Sequence, residues 1–293
     1  MTDVLDRFLF ENRSIRGEIV SLEQSFKSVL KSAQYPEPVQ LLLGQLMVAT
    51  SLLSATLKFE GEIALQIQSE GPIKYMIVNG THDQKLRGVA RWDEELLDFP
   101  AEFSECFTKG ILAITLTPKD GNRYQGMVAL DKASFAECIE EYFLQSEQLL
   151  TKIILAGRIG EKSRAAGLLI QIVPTTSESS NVDTNPDFEH VAHLANTVSA
   201  EEILALPHKE MIHRLYHDEI IRIFEPQTVQ FACDCSRERS AGALKSVSKA
   251  ELLEIIAEDG HIKMDCQFCH EVYRFDEIDV ANIHAQNMGA GLA

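Results

Sequence analysis

Glu62-Ile63-Ala64-Leu65-Gln66-Ile67-Gln68, followed by Glu70-Gly71-Pro72 and then by Ile73, Tyr75 and Ile77, is the stretch whose reading decides the fold. Ile63, Leu65 and Ile67 alternate with Ala64, Gln66 and Gln68, and a period of two places apolar side chains on one face of an extended chain. Gly71-Pro72 between two such runs predicts a β-hairpin or meander. Toward the C-terminus the pattern continues in strands at Leu86 to Trp92, Ile111 to Thr117 and Tyr124 to Leu130. The last two are joined by Pro118-Lys119-Asp120-Gly121-Asn122, a link short enough to require antiparallel neighbours. A helix over Ser134 to Leu144 follows, then strands at Lys152 to Arg158 and Ala165 to Val173 around Ile159-Gly160-Glu161-Lys162-Ser163-Arg164.

Toward the N-terminus, Ile15 to Leu22 reads as a strand containing Gly17, and Ser25 to Ser32 as a polar helix. Pro36 and Pro38 then open a long helix, as prolines can in a first turn. Its apolar stretch, Val39 to Leu57, is uncharged and nearly long enough to span a bilayer. Gln40, Gly44, Ser51 and Ser54 recur on roughly one face, so a buried core helix is the better reading. Runs of strands with few helices give an α+β class, a mainly antiparallel sheet core with a long buried helix, ending near Pro174.

The 293 residues allow two domains, or one with an appendix. A net charge of −17 sets up a field that repels nucleic acid and anionic membranes, so neither is expected as a partner. The N-terminus has acidic residues where a signal peptide has basic ones, which points to the cytoplasm, where thiols stay reduced. Thr175 to Asn181 has linker composition and should be exposed and mobile. Beyond it, Asp187 to Phe224 reads as short acidic amphipathic helices broken at Pro207, with apolar positions that include Leu194, Ile203, Leu204, Met211, Ile212, Leu215 and Ile220. Helices this short must dock on something to persist, and marginal docking makes them candidates for conditional exposure. The expected division is a core over 1–176, a helical linker over 177–226 and a small zinc-binding C-terminal domain over 227–293.

That last segment holds Cys233-Asp234-Cys235 and, thirty residues on, Cys266-Gln267-Phe268-Cys269. Two close pairs of soft ligands suit one tetrahedral Zn²⁺. Around them, a strand-like Thr228 to Ala232, a helix near Lys249 to Glu258 and a strand-like Glu271 to Phe275 make a module too small to be secure on its apolar core alone. By spacing alone the site can be a scaffold or a redox switch, since the same sulfurs can oxidise to disulfides. Cys106 and Cys138 read as buried hydrophobes. His190, His193, His208, His213 and His217 read as solvated or packed rather than as a second metal site. No nucleophile–base arrangement, nucleotide loop or Gly-x-Ser-x-Gly elbow is present, so no catalytic residue is assigned.

Taken together, the residues resemble the bacterial thirty-three-kilodalton heat-shock protein family of redox-regulated holdase chaperones. The resemblance rests on Arg16-Gly17-Glu18, Tyr35-Pro36, Leu53-Ser54-Ala55-Thr56-Leu57-Lys58-Phe59-Glu60-Gly61, Gly71-Pro72 and Tyr124-Gln125-Gly126. It continues through Tyr142-Phe143, Ser146-Glu147-Gln148, Ala165-Ala166-Gly167 and Phe224-Glu225-Pro226 to Cys233-Asp234-Cys235-Ser236-Arg237-Glu238-Arg239 and Cys266-Gln267-Phe268-Cys269. It implies one zinc per reduced chain on Cys233, Cys235, Cys266 and Cys269. It also implies oxidation to disulfides pairing Cys233 with Cys235 and Cys266 with Cys269, with loss of the metal. ATP-independent binding of unfolded client proteins, and a homodimer in the active state, follow from the resemblance too. Client binding by the linker positions Leu194, Ile203, Leu204, Met211, Ile212, Leu215 and Ile220 is the accompanying expectation. A static zinc-ribbon adaptor and a thiol-disulfide oxidoreductase are the alternatives from other classes.

Overall fold

The computed structural model describes residues 3–57, 60–96, 98–173 and 185–289, with two compact units divided between Ala232 and Cys233. In chain order the first unit contains β1 (Val4–Phe10), β2 (Ile15–Leu22), α1 (Gln24–Leu30), α2 (Glu37–Ala55), β3 (Gly61–Gln68), β4 (Ile73–Thr81) and β5 (Lys85–Trp92). It continues with α3 (Phe103–Cys106), β6 (Ile111–Pro118), β7 (Tyr124–Ala129), α4 (Phe135–Tyr142), a π-helical turn Phe143–Glu147, β8 (Thr151–Arg158) and β9 (Arg164–Ile172). Three helices, α5 (Pro186–Ala195), α6 (Ala200–Ala205) and α7 (His208–Tyr216), lead into β10 (Ile221–Ile223), β11 (Gln227–Thr228) and β12 (Gln230–Phe231). The second unit has α8 (Arg237–Leu244), α9 (Lys249–Asp259), the hairpin β13 (Ile262–Asp265) and β14 (Val272–Phe275), and α10 (Glu277–Gly289).

The first sheet has the order β10-β1-β2-β9-β8, with β11 also on β1, and the second has the order β12-β5-β4-β3-β6-β7. All pairs are antiparallel except β12 on β5. The alternation over Glu62 to Gln68 is realised in β3, where Ile63, Leu65 and Ile67 are buried and pair across β4 and β6. α2 packs between the two sheets, and its apolar side chains join theirs in one core. Gly167 of β9 lets the helix approach closely, because a Cβ there would collide with Val48. The polar residues of α2 are accommodated inside. Ser51 donates to Gln84 Oε1 at 2.6 Å, and Gln84 Nε2 donates to Ser54 Oγ at 2.8 Å. Both Cys106 and Cys138 are buried, as expected of small apolar side chains.

The linker-like stretch Thr175 to Asn181 lies outside the described residues. α5, α6 and α7 lie against the face of the first sheet that points away from α2, forming a second core with β1, β2, β8 and β9. Pro207 separates α6 from α7 as expected, and Ser199 with Glu202 forms a capping box on α6. The unit that holds the four cysteines starts at Cys233 rather than at residue 227. Gln227 to Phe231 hydrogen-bond to β1 and β5 and so are part of the first unit.

Candidate metal centre

Two local structures present the thiols. Cys233 and Cys235 lie in the coil after β12, and Ser236 immediately caps α8 by accepting from the Arg239 N–H. β13 and β14 pair in register from Ile262↔Phe275 to Asp265↔Val272, so their hairpin connection carries Cys266 and Cys269. That turn is tight: Cys266 N donates to Glu271 O at 2.9 Å, His270 N donates to Cys266 O at 2.8 Å, and His270 adopts φ 58°. Left-handed backbone favours glycine, so this histidine is held there at a cost.

The four Sγ atoms lie within 4.8 Å of one another, all half-buried, and they are the one such gathering of possible ligands among the described residues. Cys233 and Cys266 approach to 3.6 Å and Cys235 and Cys269 to 3.3 Å, so each half of the pattern meets the other. Burial opposes ionisation of Cys233, but the N–H of Cys235 and the neighbouring thiols donate to its sulfur and bring its pKa below the ordinary thiol value. Burial first, and then the adjoining sulfurs, push Cys269 up; burial also raises Cys235. Four thiolates this close repel one another, so a shared cation is what would let all four ionise together. The cluster is compatible with one bound metal ion.

Two residues besides the cysteines, Tyr273 and Arg237, support the cluster. Tyr273, on β14, donates its hydroxyl to Cys235 Sγ at 3.2 Å and so links the second pair's hairpin to the first pair. Arg237 binds Asp279 of α10 at 2.6 Å and the Arg274 carbonyl at 2.5 Å, with its guanidinium 4.5 Å from the Phe275 ring centroid. These contacts fasten the start of α8 to the hairpin. Among the described residues the unit's apolar core is small, with Leu244, Leu252, Ile256, Ile262, Phe275, Val280 and Ile283 as its buried members.

The linker positions are placed elsewhere, on the first sheet. Ile203, Leu204, Met211, Ile212 and Leu215 are buried there, Leu194 packs at the margin, and Ile220 is 57% exposed beyond α7. Of the five histidines only His208 is buried among the described residues; it bonds Asp6 Oδ2 at 2.7 Å and Ser21 Oγ at 2.8 Å. Arg13, in the β1–β2 turn, adds a rim contact through two 3.0 Å bonds to Glu219. Sequence could have flagged His208, because His208, Met211, Ile212, Leu215 and Tyr216 follow one helical stripe; its partners, near the N-terminus, carry no local signal.

The family described as Hsp33 protein matches residues 3–276. A 33 kDa chaperonin of Pseudoalteromonas atlantica is 58% identical over 284 residues, covering 97% of this chain and 95% of that protein. One of Shewanella sediminis is 54% identical over 281 residues, covering 96% and 95%. Among solved structures, the crystal structure of the 33 kDa chaperonin of Thermotoga maritima superposes with a TM-score of 0.80 at 18% identity, covering 98% of this chain and 99% of that one, and shares its fold.

Proposed function

Since the chain belongs to the Hsp33 family, whose members are chaperones, we propose that it is an ATP-independent holdase switched on by oxidation. The observation that carries the reading is the gathering of four thiols in a unit with seven buried apolar side chains among its described residues. Zinc is the metal the donor set fits. A Zn–S distance of about 2.3 Å gives a tetrahedron with edges of about 3.8 Å, against observed sulfur contacts of 3.6 and 3.3 Å. Bound there, zinc would supply the charge that holds four thiolates together and a cross-link that substitutes for a larger core. Cys233, Cys235, Cys266 and Cys269 would each give one thiolate.

Oxidation by a hydroperoxide takes two electrons from two thiolates for each disulfide formed and removes two ligands. Once the second unit loosens, Cys233 remains tethered to Cys235 and Cys266 to Cys269, while the two halves are thirty residues apart in the chain. The family resemblance implies that the disulfides formed join Cys233 to Cys235 and Cys266 to Cys269. With its neighbouring unit unfolded, the linker leaves the sheet and offers Leu194, Ile203, Leu204, Met211, Ile212, Leu215 and Ile220 to unfolding proteins, its acidic faces keeping the complex soluble. In functional terms 1–176 is the core, 177–226 the linker and 227–293 the redox switch. The active form is a homodimer, works in the cytoplasm, turns over no substrate and uses neither nucleic acid nor membrane.

The test treats zinc-loaded protein with peroxide under mildly unfolding conditions and follows released zinc together with aggregation of a denatured client. Zinc release and aggregation suppression should rise together. Zinc release without suppression refutes the switch; suppression in no redox state leaves a static adaptor, and catalytic turnover of a disulfide substrate leaves an oxidoreductase.

A further inference from the structure

Three of the stretches that carry the family resemblance have no part in the thiol switch, and they meet at one place in the first unit. Leu53 to Gly61, Tyr124-Gln125-Gly126 and Tyr142 to Gln148 each send side chains into an open cavity of about 300 Å³, at the lower end of the range for small-molecule sites. Its walls are apolar, formed by Leu53 of α2, Leu57 just beyond it, Ile63 of β3, Ile114 and Leu116 of β6, and Phe143. Polar atoms come from Thr56, Tyr124, Tyr142 and Glu147.

The local backbone builds the polar end of this cavity. Tyr142 and Glu147 are five residues apart, which on an α-helix would set them about 140° apart around the axis. The chain instead makes its π-helical turn over Phe143–Glu147, whose wider winding carries the fifth residue back over the first, and Tyr142 Oη donates to Glu147 Oε1 at 2.9 Å. Gln148 closes the turn at φ 55°, left-handed backbone that a side chain occupies only at a cost. Gly126 leaves room for the Tyr142 hydroxyl, since a Cβ there would strike it. Tyr124 Oη donates to the same carboxylate oxygen at 3.0 Å, and Thr56 Oγ1 donates to Leu53 O at 2.8 Å. Burial first, and then the bonds with Tyr124 and Glu147, hold the Tyr142 pKa above the ordinary phenol value, so this hydroxyl keeps its proton.

Every hydroxyl proton that lines the cavity is thus already given to a protein acceptor. What remains for a ligand are hydroxyl lone pairs and the Glu147 carboxylate, which enters no ion pair among the described residues. Such a set of acceptors repels an anion and calls for several N–H donors with positive charge, while the apolar walls call for an apolar body. We propose that this cavity binds a small organic cation, a primary ammonium carried on a short aralkyl or alkyl body. Glu147 is its counter-ion, the two tyrosines hold that carboxylate in place, and Leu53, Leu57, Ile63 and Leu116 house the body.

Phenethylammonium is the probe and phenethyl alcohol its neutral counterpart. Each is titrated into the full-length, zinc-loaded chain and followed by the methyl NMR signals of Leu53, Ile63, Ile114 and Leu116. The ammonium should move these signals at concentrations below about 10 mM. It should bind about three- to tenfold more tightly than the alcohol, a modest factor because Glu147 is exposed. Glu147→Gln should erase that preference and leave the alcohol's affinity unchanged, whereas the comparison of the two ligands on the unaltered chain needs no variant to fold. A probe that moves none of the four signals overturns the proposal, as does equal binding of ammonium and alcohol by the unaltered chain, or a preference that survives Glu147→Gln. Binding that fades as the chain is concentrated into dimers gives the cavity to a second copy and overturns it as well.

Discussion

Glu18 offers a thermodynamic test of how the first sheet is built. It lies on β2 beside Arg16 Nε, 3.9 Å away, is 3% exposed, and its Oε2 has no hydrogen-bond partner among the described residues. Burial drives its pKa from 4.5 up to about 7, with Arg16 and Arg7 pulling weakly the other way. Between those values the folded chain keeps a proton that the unfolded chain has released. Stability from this group is therefore full below pH 4.5 and falls as pH rises toward 7, by about 3 kcal/mol in all. Gln is close in shape to the protonated acid and does not titrate. Glu18→Gln should thus match the parent near pH 4 and exceed its stability by about 3 kcal/mol at pH 8. Urea titrations followed by Trp92, the chain's single tryptophan, packed 5.3 Å from Tyr35 in the first unit, read this difference. A stability difference between parent and Glu18→Gln that is the same at pH 4 and pH 8 would refute the linkage.

Chelation of zinc from reduced protein should abolish amide protection at Leu252, Ile256, Ile262 and Phe275 while β2 and β9 stay protected. A structural zinc is worth about 10–16 kcal/mol, as much as a whole small domain, and hydrogen exchange reads both units at once. His270→Gly relieves a left-handed residue and should raise the thermal stability of the zinc-loaded second unit by about 1 kcal/mol, measured by calorimetry. Tyr273→Phe removes the donor to Cys235 and should speed thiol oxidation by peroxide about three- to tenfold. Zinc removal by a chelator should keep its rate, since a looser fold would accelerate both. Ser51→Ala leaves Gln84 Oε1 buried without its donor and should cost about 1–3 kcal/mol in urea unfolding.

Patterns that repeat over a few residues were readable in the chain. Alternation at Ile63, Leu65 and Ile67 marked a half-buried strand, the stripe through Met211, Ile212 and Leu215 marked a docked helix, and the two cysteine pairs marked four thiols that the fold gathers within 4.8 Å. β1 escaped because Asp6 and Arg7 sit among its apolar residues, and Asp6 faces inward only because His208, 202 residues away, meets it. The same distance problem hid the partner of the α2 serines, Gln84, more than thirty residues along the chain in a β4–β5 turn. The boundary at Cys233 was hidden because β11 and β12 acquire their unit by pairing with remote strands, which periodicity does not encode. α8 carries too weak an apolar stripe to be recognised; it is positioned by the Ser236 cap and by Arg237 instead.

Under the proposed mechanism, the distribution of apolar contacts sets what a change at the four sulfurs would have to overcome at the first sheet. The main core runs through both sheets and α2 and has no need of the linker, whereas the linker's own core depends wholly on the opposite face of the first sheet. Removing the linker thus uncovers a surface without dissolving the sheet that carries it. Two polar anchors oppose that removal, the buried contact of His208 with Asp6 and the rim contact of Arg13 with Glu219, and both tie the linker to the β1–β2 hairpin. β10 and β11 then pair with β1, and β12 with β5, immediately before Cys233. Disorder spreading backward from the second unit would meet these three short strands before it met the helices. Their two or three residues each make them the weakest backbone ladders on that path, so the resistance of the linker to release is set chiefly by the buried side-chain anchors.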